Sequence, residues 1–340
     1  MDDKVAEARG HRPRVADPPA RLDLADLPGP SFFMRMARQI TLRAPRGRYR
    51  LSHELGQLPV RRFRGWFPIA AGRASFFCDL RDSIAREVWF TGRYEPQEAA
   101  LIETVLQAGM TFVDAGANWG YFSLLAAARV GSGGRILSFE PDPRLAVLLR
   151  ANLRALGVEA AVCEIALADA HGELRLAGFA ASQDNHGTSR LVGANAAGGT
   201  AGTDCFPVRA EALDDVLDRL QVGQVDLVKM DIEGGEALAL EGMRLGLAAG
   251  RYRRLLLEVH PGLLADHGSS VREVIQPLQA AGYHAWRIDH SLAATRQAAY
   301  RRDFSLREAL RPFSPDDAWD AWPHLLWLAP GVSLEVASGR

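Results

Sequence analysis

The sequence predicts an α/β fold: a doubly wound, mainly parallel sheet with helices on both faces, preceded by an N-terminal extension. Three observations predict it. From Tyr94 onward, short apolar runs alternate with helical patterns, the rhythm of βαβ units. Several of those runs are continuously apolar, as in strands buried on both faces. The first of them, TFVDAG, ends on an acid and a glycine turn that opens a helix, which is where open α/β sheets bind ligands.

Taken in order, residues 1–30 are rich in Pro, Arg and Asp, show no apolar periodicity and are expected to form a disordered tail. Residues 31–93 form a partly helical N-terminal extension. Within it, SFFMRMARQITLRAPRGRYR (31–50) combines Phe32, Phe33, Met34, Met36 and Ile40 with six arginines. This stretch reads either as a helix packed on the main domain with solvated arginines, or as a basic amphipathic helix in peripheral contact with anionic lipid.

The main domain is placed at 94–330. EPQEAALIETVLQAG (95–109) is a helix with Pro96 in its first turn and Gly109 at its end. TFVDAG is a buried strand, YFSLLAAARVG a helix, GRILSFEP a second strand and PRLAVLLRANLRALG a helix closed by Gly157. EAAVCEIALAD is expected as one third strand. GELRLAGF and DCFPVRAEAL read as short strands, and the Gly-, Ala- and Thr-rich stretch 193–204 between them as a flexible loop. VDLVKMDIEG and RRLLLEVHPG are later strands, separated by EALALEGMRLGLAAG as a helix. SSVREVIQPLQAAGYHAWRID reads as helix then strand, HLLWLAP as a last strand, and 331–340 as a C-terminal tail.

Composition narrows the function classes. The chain has 340 residues, 48% of them hydrophobic, enough for a sizeable core. A formal net charge of −1 argues against nucleic-acid binding by counterion release. No window approaches the roughly 18 apolar residues of a membrane span. The charged N-terminus lacks the apolar stretch of a signal peptide. Cys78, Cys163 and Cys205 are widely spaced and odd in number, as in reduced thiols, so the cytoplasm is the expected compartment.

The candidate site is FVDAGANWGYF (112–122). Asp114 ends the first strand, and Gly116, Asn118 and Gly120 follow at its crevice. Glu140 closes the next strand, 140 − 120 = 20 residues after Gly120, the interval at which a carboxylate meets ribose hydroxyls in nucleotide-binding folds. A carboxylate at Asp114 would repel a pyrophosphate and attract an ammonium group. S-adenosyl-L-methionine has that ammonium and a ribose but no phosphate, so the residue types favour it over a nicotinamide dinucleotide. The plainer reading is that Asp114 and Asn118 cap the helix and the glycines only turn.

FVDAGANWGYFSLLAA, ILSFEPDPRLAVLLRANL, EIALADAHGEL, VRAEALDDVL, LVKMDIEGGEALALEGM and LLLEVHPG occur in this order. Together they resemble the FkbM-type methyltransferases of the class I S-adenosylmethionine-dependent superfamily. The resemblance runs from about Asp79 to about Asp289, with KMDIEGGE its most specific part, and leaves residues 1 to about 75 outside. It implies a Rossmann-like, seven-stranded sheet with a reversed last hairpin, and methyl transfer usually to a hydroxyl of a bacterial glycan or secondary metabolite. Position by position, it implies that Asp114, Gly116, Asn118 and Gly120 bind the methionine end, Glu140 the ribose, and Asp169 the adenine side.

A hydroxyl is a poor nucleophile at neutral pH and gains from a base. Asp231 and Glu233 follow the VDLVKM strand, and Glu258 and His260 close the RRLLLEV strand. Asp231 or His260 is the expected base, and no metal ligand is assigned. Two other roles stay open: the four groups holding a divalent cation, or serving only structure. His186 is a weaker candidate base in DNHGTS. Alternative functions are a catalytically silent partner in glycan assembly and a nicotinamide-dependent oxidoreductase; Asp114 weighs against the second.

Overall fold

The computed structural model describes residues 30–44, 47, 64–68, 75–80, 82–154, 160–178, 189–192, 205–300, 306–314 and 322–334. The tail expected over 1–30, apart from residue 30, lies outside the described residues, as do His186 and the loop expected over 193–204. In chain order the strands are β1 (Arg64–Pro68), β2 (Ser75–Asp79), β3 (Thr111–Ala115), β4 (Arg135–Phe139), β5 (Ala160–Cys163), β6 (Ala166–Leu167) and β7 (Gly172–Ala177). They continue with β8 (Arg190–Val192), β9 (Cys205–Glu211), β10 (Leu227–Met230), β11 (Arg254–Glu258), β12 (His284–Ile288), β13 (Leu310–Pro312) and β14 (His324–Leu328).

The principal sheet has the order β13-β12-β14-β11-β10-β3-β4-β5. Strands β5, β4, β3, β10 and β11 pair in parallel, and β14 runs antiparallel between β11 and β12. This is the seven-stranded sheet with a reversed strand that the resemblance implies, with β13 added at one edge. A four-stranded sheet, β6-β9-β7-β8, stands beside it, and β1 and β2 form a hairpin.

Alternation along each strand builds two cores. Phe112, Ile136, Leu227, Leu256 and Leu326 face the helices Pro96–Val105, Tyr121–Val130 and Pro143–Arg154. Val113, Leu137, Val228, Leu255, Leu257 and Trp327 face the helices Leu213–Arg219, Glu236–Glu241 and Val271–Ala280. Helix Tyr121–Val130 is apolar nearly all round because it is buried nearly all round. Helix Val271–Ala280 opens on a capping box of Ser270 and Glu273. In the N-terminal extension, helix Phe32–Arg43 lays Arg38 on the Trp89 ring, 5.2 Å away, and leaves Phe32, Phe33, Met36 and Ile40 exposed.

Two elements differ from the expectation. The third strand splits: β5 stays in the principal sheet, whereas β6 leaves it to pair with β9. At the break Glu164 turns outward to pair with Arg150. The helix expected after β10 also splits, into Glu236–Glu241 and Arg244–Ala248. Gly242 sits at that break, where a Cβ would stand 1.9 Å from the Ala168 carbonyl oxygen. The residue after β6 therefore packs directly against the helix break, an approach that glycine allows.

Candidate active site

A cavity of 1090 Å³ opens at the carboxyl ends of β3, β4, β10 and β11. The small sheet forms one wall through Leu176, Ala177, Leu191, Val192 and Cys205. One half is lined by the 116–119 turn, Phe139, Glu140, Ile165 and Leu167; the other by Glu95, Lys229, Asp231, Glu233, Glu258, His260, His290 and His324.

In the first half, Gly116 (φ 79°) and Ala117 both donate their N–H to the Phe139 carbonyl. A Cβ on Gly116 would lie 1.8 Å from the Asp231 carbonyl oxygen, so only glycine lets the turn meet the end of β10. Asn118 takes φ 50° and donates its N–H to Glu140 Oε2 at 2.9 Å, while Asp142 N–H donates to Glu140 Oε1 at 2.8 Å. Burial pushes the Glu140 carboxyl up to about 8, although both amides act to lower it. The buried Asn118 Oδ1 has no hydrogen-bond partner.

Gly116, Asn118 and Glu140 thus line the cavity as expected; Asp114, Gly120 and Asp169 do not. Asp114 is 1% exposed and lies behind the turn, where Ser123 Oγ donates to its Oδ2 at 2.6 Å and contacts Ser138 Oγ at 2.7 Å. Ser138, Asp114 and Lys229 are register partners across β4, β3 and β10, a polar row that reaches the cavity at Lys229. Burial raises the Asp114 pKa, with Lys229 and Ser123 opposing. Gly120 (φ 91°) begins the helix Tyr121–Val130 and packs on Leu149. Asp169 is exposed outside the cavity, because the pairing of β6 with β9 carries the chain past it.

In the second half, Lys229 Nζ lies 3.2 Å from Asp231 Oδ2 and 4.5 Å above the Phe122 ring. Burial would lower its pKa, but Asp231, Glu95, Asp114 and Glu258 hold it raised. Burial and the Glu258 charge raise Asp231, against Lys229. His260 is 4% exposed, with Nδ1 on Glu236 Oε1 at 2.7 Å. Its Nε2 faces Glu258 at 3.5 Å, Glu233 at 3.8 Å and Asp231 at 3.9 Å. Burial would lower its pKa, yet hydrogen bonding to Glu236 and Glu258 and the charge of Asp231 push it up to about 11. Ringed by these carboxylates, the imidazole is favoured in its protonated form, which has no lone pair for a proton. Of the two expected bases, this geometry favours Asp231.

The sequence reading missed a second group. Glu98, 1% exposed, takes His324 Nδ1 at 2.9 Å and His290 Nε2 at 2.6 Å on one oxygen, with the two rings stacked 4.0 Å apart. His324 Nε2 faces Glu258 Oε1 at 3.6 Å. Gln97 and Glu98 are polar positions on the buried face of the helix Pro96–Val105, among Ala99, Leu101 and Ile102, and that departure from the pattern was the available signal.

A family model, the methyltransferase FkbM domain, matches residues 114–285, about half of the chain. The chain belongs to this family. As an FkbM methyltransferase it uses S-adenosyl-L-methionine as cofactor. The first half of the cavity fits that group: a glycine cradle, an unpartnered Asn118 amide oxygen, a buried glutamate and apolar side chains. The chain is 29% identical over 184 residues to the AMB antimetabolite synthetase AmbE of Pseudomonas aeruginosa. That match covers 46% of this FkbM methyltransferase and spans 9% of the length of the relative. Among solved structures, it is similar to an S-adenosylmethionine-dependent O-methyltransferase from Thermotoga maritima (15% identity, 78% of this chain and 77% of that one, TM-score 0.36). It is also similar to an O-methyltransferase from Bacillus cereus in complex with S-adenosylhomocysteine (11% identity, 70% and 82%, TM-score 0.35). Scores this low bear no weight on its chemistry.

Proposed function

We propose that this chain is an O-methyltransferase that methylates a hydroxyl of a bacterial glycan or secondary metabolite. The observation that carries this reading is the Asp231 carboxylate at the junction of the two half-cavities. Its Oδ2 is held by Lys229, while Oδ1 stands 3.9 Å from His260 Nε2, beyond hydrogen-bond reach, and is left to accept a proton. Burial raises its basicity, as a general base near neutral pH requires.

The cofactor supplies a methyl group already activated by the sulfonium. Transfer forms a C–O bond and breaks the C–S bond, whose electron pair stays on sulfur. The acceptor proton goes to Asp231 Oδ1. His260 is a positioning cation that holds Glu258, Glu233 and Asp231 together. Glu140 accepts the ribose hydroxyls, and Gly116 and Asn118 form the turn beside the methionine end. Asp114 acts from beneath, through Ser123. Contact of the helix Phe32–Arg43 with anionic lipid belongs to this proposal too, supported by the exposure of Phe32, Phe33, Met36 and Ile40.

A panel of deoxysugar glycans and polyols with labelled cofactor identifies the acceptor. Asp231→Asn is expected to lower kcat by about 10²- to 10⁴-fold with S-adenosylhomocysteine affinity unchanged by calorimetry. Near-normal turnover in Asp231→Asn removes the base from Asp231.

A further inference from the structure

The geometry points to a divalent-cation site formed by Glu95, Glu258 and His324 on the acceptor side of the cavity. The three offer ligand atoms within 4.8 Å of one another, and all three line the cavity. Glu95 is the unexplained member. Its Oε2 is buried with no hydrogen-bond partner, an arrangement that costs about 1–3 kcal/mol unless something satisfies the oxygen. Its backbone takes φ 41°, ψ 70°, a left-handed conformation for a non-glycine residue, at the start of the helix Pro96–Val105. Such strain persists where the surroundings impose it.

His324 is oriented as a ligand. Its Nδ1 is fixed by the buried Glu98 carboxylate at 2.9 Å, leaving Nε2 toward Glu258 Oε1 at 3.6 Å, too long for a hydrogen bond. A carboxylate on the far ring nitrogen is the usual support of a metal-bound histidine. The 3.6 Å between His324 Nε2 and Glu258 Oε1 is nearer the spacing of two ligands on one metal than of two acceptors around an ammonium nitrogen. Two ligands about 2.1 Å from one ion at a tetrahedral angle stand about 3.4 Å apart; around an ammonium nitrogen at about 2.8 Å they stand about 4.6 Å apart. One imidazole with two carboxylates suits a first-row divalent ion of the manganese type. Three protein ligands leave positions open for an acceptor oxygen.

The role of the ion rests on the methyltransferase reading: it would draw in the acceptor hydroxyl and lower its pKa, with Asp231 taking the proton. The site itself does not rest on it. The test is Mn²⁺ binding to the full chain, followed by electron paramagnetic resonance and calorimetry with S-adenosylhomocysteine present. One equivalent should bind in the wild type, with affinity reduced at least tenfold in Glu95→Gln and in His324→Gln. Glu98→Gln should weaken it by about 10- to 100-fold as a positioning change. Asp231→Asn should retain it, whereas loss there places the ion on Asp231, Glu233 and His260 and overturns this assignment. Normal S-adenosylhomocysteine binding with no Mn²⁺ binding overturns the cation site alone. Failure to bind S-adenosylhomocysteine counts against the methyltransferase reading instead. Unchanged Mn²⁺ affinity in Glu95→Gln and His324→Gln, both binding S-adenosylhomocysteine normally, also overturns it.

Discussion

Glu140 gains its position from two backbone amides and its proton from burial. With the folded pKa raised to about 8 and the unfolded value near 4.3, the folded chain holds a proton that the unfolded chain releases. Its contribution to stability is therefore complete below about pH 4.3 and lost as pH rises through about 8. Glu95 and Glu233, raised by burial to about 8 and about 7, slope the same way, so a variant isolates Glu140. The melting temperature of the cofactor-free protein should fall from pH 5 to 8, and fall less in Glu140→Gln. Over the same window S-adenosylhomocysteine should bind the wild type more tightly, because a carboxylate accepts ribose hydroxyls better than a neutral acid. That gain should vanish in Glu140→Gln, measured by calorimetry at each pH. Glutamine also offers one acceptor where two amides now donate, so the variant should lose about 1–3 kcal/mol of stability at pH 5. An equal pH slope in both proteins would show that Glu140 does not titrate in this window.

The element that joins the half-cavities is the turn after β3. Gly116→Ala adds a strained φ, worth about 1–2 kcal/mol, and drives a Cβ into the Asp231 carbonyl. Gly109→Ala is the control, since Gly109 has φ 83°, near the 79° of Gly116, and open space at its Cβ position. Denaturant titration should show a larger loss for Gly116→Ala, accompanied by weakened S-adenosylhomocysteine binding; Gly109→Ala should lose only the backbone cost. Equal losses and equal binding would mean that the turn does not need its contact with β10. This turn, β3 and the helix after it were readable because pattern and punctuation agree locally. The break at Gly242 was not, because the carbonyl packed against that glycine belongs to Ala168, distant in sequence. Asp114 misled for a related reason: spacing put it at the strand end, but strand pleat and Ser123 turn it under the floor.

At the scale of the whole molecule, the acid half of the site is a product of topology. Glu95 and Glu98 come from the first helix of the domain, Asp231 and Glu258 from the sheet centre, and His324 from the reversed strand. Asp231 and Glu258 were legible because each closes an apolar run. His324 was not, since nothing local says that β14 inserts beside β11. There it sets His324 opposite Glu258 in register.

That insertion has a consequence for synthesis on the ribosome. The edge of β11 carries Leu255, Leu256 and Leu257, all buried in the finished sheet, and its neighbour on that side begins at His324, 324 − 258 = 66 residues later. At about 5–20 residues per second, the edge waits roughly 3–13 s for its partner. For that interval the nascent chain presents an unpaired leucine-rich strand, a template for joining other chains. Growing cells should therefore lose this protein to aggregates when elongation is slowed between codons 258 and 324 by rare synonymous codons, and recover it when the same codons are placed after 328.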